Sequence, residues 1–138
     1  MIKTADIMRA VNTKLREDFA DYKVCSTDAR KNVQPGSFYV ERPAPVLDGT
    51  QDMRHESGTI RVVYFPKDEL NYRTEFMDMQ NKLYMSFFHI LRVTEDFVIP
   101  VNDLIFEESD GALIMEFDYE TWQEIEETGE MMEYLNLR

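Results

Sequence analysis

The chain predicts an α/β (α+β) fold: a central, mostly antiparallel mixed sheet packed by two helices. Three observations lead there. Two amphipathic stretches, about residues 4–20 and 69–91, repeat their apolar positions at helical spacing. Two others, 59–65 and 112–125, alternate as half-buried strands do. Two aspartate–glycine pairs, Asp48-Gly49 and Asp110-Gly111, mark tight hairpin turns. At 138 residues and 43% hydrophobic content the chain is long and apolar enough for one core, so 1–138 reads as a single domain.

Each element has its own signals. In the first helix Ile7, Val11, Leu15 and Phe19 recur every fourth residue, with Thr4 as the expected N-cap and Asp6 in the first turn. Residues 22–26 form a short strand candidate, and 27–35 read as a loop. After the Pro35-Gly36 turn, Ser37 to Arg42 reads as a strand. Asp48-Gly49 is expected to turn residues 38–47 back onto 50–65. Pro43 and Pro45 donate no ladder hydrogen bond, so this strand belongs at an edge, and 43–57 is expected to project as a hairpin.

Along 59–65, Ile60, Val62 and Tyr64 share one face, and Pro66 ends the run. The second helix carries Phe76, Met79, Leu83, Phe87 and Ile90 in one stripe, widened by Tyr72, Tyr84, Phe88 and Leu91. So wide an apolar face suggests contact with more than one surface. Residues 97–107 and 112–125 read as a second hairpin, turned at Ser109-Asp110-Gly111. In its second strand Leu113, Met115, Phe117, Tyr119 and Ile125 face a core, while Ile114, Glu116, Asp118, Glu120 and Trp122 face a wetter side. Residues 130–137 suit a short terminal helix or strap.

Charge is uneven along the chain. Residues 101–138 hold twelve acids and one base; residues 1–100 hold fifteen acids and fourteen bases. The acidic C-terminal segment, 120–138, repels nucleic acid and wants solvent or cationic partners. No apolar run reaches the length of a membrane-spanning helix, and Met1 to Thr4 leads into a helix instead of a signal peptide, so the expectation is cytoplasmic synthesis with no membrane.

Candidates for chemistry are few. A lone cysteine, Cys25, excludes an internal disulfide and reads as a small core residue. His55 and His89 stand apart, and His89 reads as a cation near a helix C-terminus. Glu116, Asp118 and Glu120 form a row on one strand face, but a metal site draws oxygen ligands from several elements, so a solvated face explains the row better. No phosphate loop, metalloprotease helix or nucleophile elbow is present. The expectation is a protein with no catalytic residues, cofactor or metal.

The motifs in order carry a resemblance. They are IKTADIMRAVNTKL, PGSFYVER, IRVVYFP, MDMQNKLYMSFF and DGALIMEFDYE, over roughly residues 2–120. The most distinctive pieces are Pro35-Gly36-Ser37-Phe38-Tyr39-Val40, Tyr64-Phe65-Pro66 and Asp110-Gly111-Ala112-Leu113. This order resembles the small tail terminator proteins of phages and prophages of Gram-positive bacteria. The resemblance implies a homo-hexameric ring that caps the tail tube, ends its polymerisation and offers a surface to the head–tail connector. It implies as partners the tail tube protein, a sheath protein where the tail is contractile, and DNA that passes through without sequence-specific binding. It implies a place in the virion tail or neck, after assembly in the host cytoplasm.

Interface candidates follow from the projecting hairpin and the acidic end: Pro43, Pro45, Asp48, Gly49, Arg54 and His55, then Glu124, Glu126 and Glu127. Besides a carboxylate enzyme, which the acidic row of 116–120 supports least, two other readings stay open at this point. One is a different neck component, such as a head-completion or stopper protein. The other is a free acidic protein that mimics DNA, which the C-terminal charge density permits.

Overall fold

A computed structural model describes residues 1–25 and 34–125. Among these, two helices and eight strands alternate in the order α1 (Thr4–Asp18), β1 (Lys23–Cys25), β2 (Ser37–Glu41), β3 (Val46–Gly49), β4 (Met53–Phe65), α2 (Tyr72–Phe87), β5 (His89–Thr94), β6 (Phe97–Val101), β7 (Ile105–Ser109) and β8 (Ala112–Glu124). The main sheet runs β1-β2-β4-β8-β7, with β3 also paired to β4. Only the β1–β2 pair is parallel, so the sheet is mixed and mostly antiparallel, and the fold is α+β as predicted.

The core occupies one face of that sheet. Phe38 and Val40 from β2, Ile60, Val62 and Tyr64 from β4, and Leu113, Met115, Phe117 and Tyr119 from β8 point into it. Ile7, Val11 and Leu15 of α1 cover them, as do Phe76, Met79, Leu83 and Phe87 of α2. Leu91, Ile99 and Val101 of the separate β5–β6 hairpin complete the cover. Aromatic rings tile one end: Phe38 lies 5.1 Å from Phe19 and 5.0 Å from Tyr64, centroid to centroid. The stripe of α1, and that of α2 as far as Phe87, are therefore buried where the 3.6-residue repeat puts them, while Ile90 lies in β5 and is exposed.

Local chemistry shifts several boundaries. Lys3, not Thr4, is the N-cap of α1; the Asp6 carboxylate accepts a 2.8 Å bond from the Lys3 amide, and the Thr4 hydroxyl is drawn elsewhere. The second helix stops at Phe87, four residues early. His89 has a left-handed φ of 95°, and Ile90 and Leu91 belong to β5. A short run such as Phe87 to Leu91 satisfies both periods, and pairing with β6 decides between them. His89 is thus a strand residue, not a helix-terminal cation. The expected strand 97–107 divides for the same reason: β6 pairs with β5, and only β7 pairs with β8.

The Asp110-Gly111 turn is as predicted, with both residues at positive φ between the Ser109–Ala112 pair. The Asp48-Gly49 turn is not. Both residues are inside β3, opposite His55 and Arg54, and the chain reverses at Gln51-Asp52, closed by the Thr50 amide on the Met53 carbonyl at 2.9 Å. Gly49 is needed there for a different reason: a Cβ would stand 2.2 Å from the Met53 carbonyl oxygen. The expected strand 38–47 is also broken. Pro43 and Pro45 lie between β2 and β3, where residues 42–45 face only residues 58–60 of β4, a local bulge that the missing amide donors allow.

The outer face of the sheet is not uniformly wet. Val63, Phe65, Ala112 and Ile114 are buried there, with Cys25 and Tyr39 half-buried against them. Ile114 was expected on the wetter side; it is apolar and covered, while Glu116, Asp118, Glu120 and Trp122 beyond it are half-buried or exposed as expected. Cys25 joins this small cluster and remains a free thiol.

Candidate functional site at the polar end of the ribbon

β4 and β8 pair without interruption over twelve residues each, from Met53–Glu124 to Tyr64–Leu113. β7 accompanies β8 only as far as Glu116, and β3 lies along β4 from Arg54 to Ser57. The far half of this ribbon extends past the apolar core. Period-2 geometry sends its side chains to two polar faces.

On the outer face the rows run Val46–Ser57–Glu120, Asp48–His55–Trp122 and Thr59–Asp118. The His55 ring lies at the centre. Its Nδ1 is 2.5 Å from Asp48 and its Nε2 is 2.7 Å from Glu120. The ring stacks on Trp122 at 4.0 Å and 21°, and the Trp122 indole N–H donates to Glu120 at 3.1 Å. The bond to Asp48 raises the imidazole pKa above its ordinary value most; desolvation opposes this, and the Glu120 bond and both negative charges add to it. With both ring nitrogens held by carboxylates, His55 has no lone pair free to act as a base. The Thr59 hydroxyl donates to Asp118 at 2.7 Å. Arg61 sits among three acids, at 2.8 Å from Glu116, 3.2 Å from Glu41 and 3.5 Å from Glu107; its Nε contact is close but not aligned as a hydrogen bond. The acidic row of β8 is therefore answered partner by partner across the strands.

The inner face is organised by Glu56, which is 1% exposed. Its carboxylate accepts from the Tyr119 hydroxyl at 2.7 Å and the Thr4 hydroxyl at 2.9 Å, and faces Arg54 at 3.3 Å. Gly58 makes the Tyr119 bond possible: a Cβ there would meet the tyrosine ring and hydroxyl at 3.0 Å. Burial first, then the bond to Glu56, pushes the Tyr119 phenol up. Gln123 clasps the backbone of Ile2 twice, accepting from its amide at 2.7 Å and donating to its carbonyl at 2.8 Å. The chain start is thereby fastened beneath the ribbon.

The nine predicted interface residues separate by position. Asp48, Gly49, Arg54, His55 and Glu124 gather at the ribbon end. Asp48, Gly49 and Glu124 are exposed, whereas Arg54 turns to the inner face and His55 is half-buried under its carboxylates. Pro43 is buried and Pro45 half-buried in the bulge, so Pro43 offers little surface. Glu126 and Glu127, and the segment 130–137, lie outside the described residues. Sequence reasoning missed Glu56, Gln123 and the role of Trp122. Parity could have found Glu56: it shares the inward set with Ile60, Val62 and Tyr64, and an acid at an inward position requires partners.

A second exposed surface is apolar. Met77, Tyr84 and Phe88 on or just after α2, and Ile90 and Val98 on the β5–β6 hairpin, are each 40% exposed or more. Tyr84, Phe88 and His89 stack in succession at 4.9 and 5.6 Å. The wide apolar face predicted for α2 is thus half core and half surface.

No helix among the described residues is long and apolar enough to cross a membrane. No curated protein matches the sequence significantly. Residues 6–131, most of the chain, match the family model described as phage tail terminator protein. With that match spanning both helices, the whole main sheet and the ribbon, the chain belongs to the phage tail terminator protein family, a structural component of phage tails.

Proposed function

We propose that this protein ends the phage tail by capping its tube. Copies of the chain form a ring, six in number, on the last layer of tube protein. The ring stops polymerisation and presents its other side to the head–tail connector. In a contractile tail it also meets the sheath. The observation that carries this reading is the family match over residues 6–131. Two features of the fold support it. The outer edge of β3 and the edge of β8 beyond Glu116 have no strand partner among the described residues, which suits pairing between copies. The exposed apolar surface of Met77, Tyr84, Phe88, Ile90 and Val98 suits a further subunit contact.

In this reading Asp48, Gly49 and Glu124 at the ribbon end face a neighbour, the tube or the channel; Glu126 and Glu127, the other acids expected at this interface, lie outside the described residues. Acidic walls would let DNA pass without holding its phosphates. The assembled ring resides in the virion tail or neck after forming in the host cytoplasm. The test is tube length. Tube protein and its assembly partners, expressed with and without this chain, are compared by electron microscopy. The expected result is tubes of uncontrolled length without it, and tubes of set length bearing a six-fold terminal ring with it. Equal length distributions in the two cultures would overturn the proposal.

A further inference from the structure

We propose that Asp48, His55 and Glu120 form a proton-held latch that fastens β3 to the ribbon, so that β3 loosens when the imidazole becomes neutral. The geometry requires the proton. Each ring nitrogen of His55 lies within 2.7 Å of a different carboxylate oxygen. A neutral imidazole has one N–H and satisfies one of them; its other nitrogen would turn a lone pair toward the second carboxylate. Only the imidazolium donates to both. The stack on Trp122 favours the same state, because a cation over an indole face is attracted by the ring quadrupole.

β3 depends on this tie more than any other strand of the main sheet. All four of its residues are exposed, and Val46 and Leu47 remain 60% and 56% exposed. It pairs with β4 alone, over four residues. Asp48 makes the only side-chain hydrogen bond or ion pair from β3 among the described residues. Among the described residues, the charges that act on the His55 ring are those of two acids, while Arg42 and Arg61 line the hollow further along the same face, with Ser57, Thr59 and Glu120. Asp48 faces it from β3, Glu120 faces it from β8, and Asp118 and Glu124 lie on the same face of β8; Ser57 and Thr59 of β4 are uncharged. Arg54 and Glu56, its chain neighbours, point to the opposite face. Losing the imidazolium therefore leaves carboxylates without their cation, and repulsion adds to the lost bond.

The sign follows from the raised folded pKa. The latch is fully closed below the unfolded histidine value, about 6.5, and opens as pH rises through the folded value. The experiment follows the His55 ring resonances, Trp122 fluorescence and amide hydrogen exchange of β3, corrected for intrinsic exchange, from about pH 5.5 to 9. The expected result is a ring midpoint above about 6.5. β3 protection falls as the pH crosses that midpoint, about tenfold where the midpoint stands one pH unit higher than the unfolded value. Trp122 emission rises with the same midpoint. In His55→Gln, β3 protection is low and independent of pH while core amides stay protected; in Glu120→Gln the midpoint moves down. β3 protection that stays flat through the His55 titration would overturn the latch. So would a His55 midpoint at or below 6.5, or full β3 protection in His55→Gln.

Discussion

The two halves of the β4–β8 ribbon share one ladder and are held by opposite means. Near the sheet centre, residues 60–65 and 112–117 are apolar on the inner face and largely apolar on the outer one. Beyond Gly58 and Tyr119 both faces are polar. The inner one is tied through Glu56 and Gln123, the outer one through His55 and its carboxylates. Backbone hydrogen bonding continues in register through the change. A strand pair can thus leave the core without fraying, provided side-chain bridges replace apolar burial. The two kinds of cohesion differ in consequence. Burial is insensitive to pH and salt, while the polar half inherits the titration and screening of its charges. A surface that must adapt to neighbours belongs on the second kind.

The largest break in this comparison is expected in the dry half. Phe117 is 2% exposed and packs 6.2 Å from Phe87, so Phe117→Ala removes a ring from the middle of the core. The expected cost is about 3–5 kcal/mol, read from the urea midpoint at unchanged slope. The whole domain should lose stability together, the polar half included, because that half has no core of its own. A cost below about 1 kcal/mol would show that the centre is looser than its burial indicates.

A smaller and more local effect is expected at Glu56. Glu56→Ala leaves the Tyr119 and Thr4 hydroxyls and the Arg54 guanidinium without their shared acceptor. Arg54 retains some water, so the expected loss is about 2–3 kcal/mol, below that of a fully buried pair. Its signature is position: amides of residues 2–6 and of the ribbon end should exchange faster, while those of residues 60–64 keep the protection set by the global equilibrium. Glu56→Gln should recover part of the loss, since an amide still accepts from Tyr119. Uniform loss of protection across both halves would show that the ribbon is one cooperative unit and erase the distinction.

The sequence displayed the dry half far better than the polar one. Phe76, Leu83 and Phe87 share the helical stripe, Val62 and Tyr64 share one face of their strand, Leu113, Met115 and Phe117 share another, and all eight are buried. Period and apolarity specify such positions directly. The tip was harder because its contacts join residues far apart in sequence. Ile2 meets Gln123, Thr4 meets Glu56, and His55 meets Glu120, and nothing local announces such pairs. The Asp48-Gly49 error has the same origin. The pair is a sound local turn signal, but the pairing of β3 with residues 54–57 moves the reversal three residues onward. Likewise Ile90 and Leu91 suit a helix locally and a strand once β6 lies beside them. The family resemblance was legible in the order of motifs, which are turns and strand ends, and the family match covers them over residues 6–131.

The smallest predicted effect tests the boundary itself. Arg61 stands where the outer face changes from Val63 and Phe65 to Thr59, His55 and their acids. Its guanidinium lies within 3.5 Å of Glu41, Glu107 and Glu116. The Arg61 side chain is 36% exposed, so water and salt screen these pairs. Arg61→Gln is expected to cost only about 0.5–1 kcal/mol at low ionic strength, through the loss of these partly exposed ion pairs. In about 1 M salt, where the screening length falls to about 3 Å, the difference from the parent should shrink toward zero. Phe117→Ala should keep its full cost under the same salt, since burial of a ring does not respond to screening. The pair of variants, measured by urea unfolding at low and high salt, separates the two forms of cohesion on one strand pair. A salt-independent loss at Arg61 would mean that its aliphatic stem matters more than its charge, and the boundary would then lie one row further toward the tip.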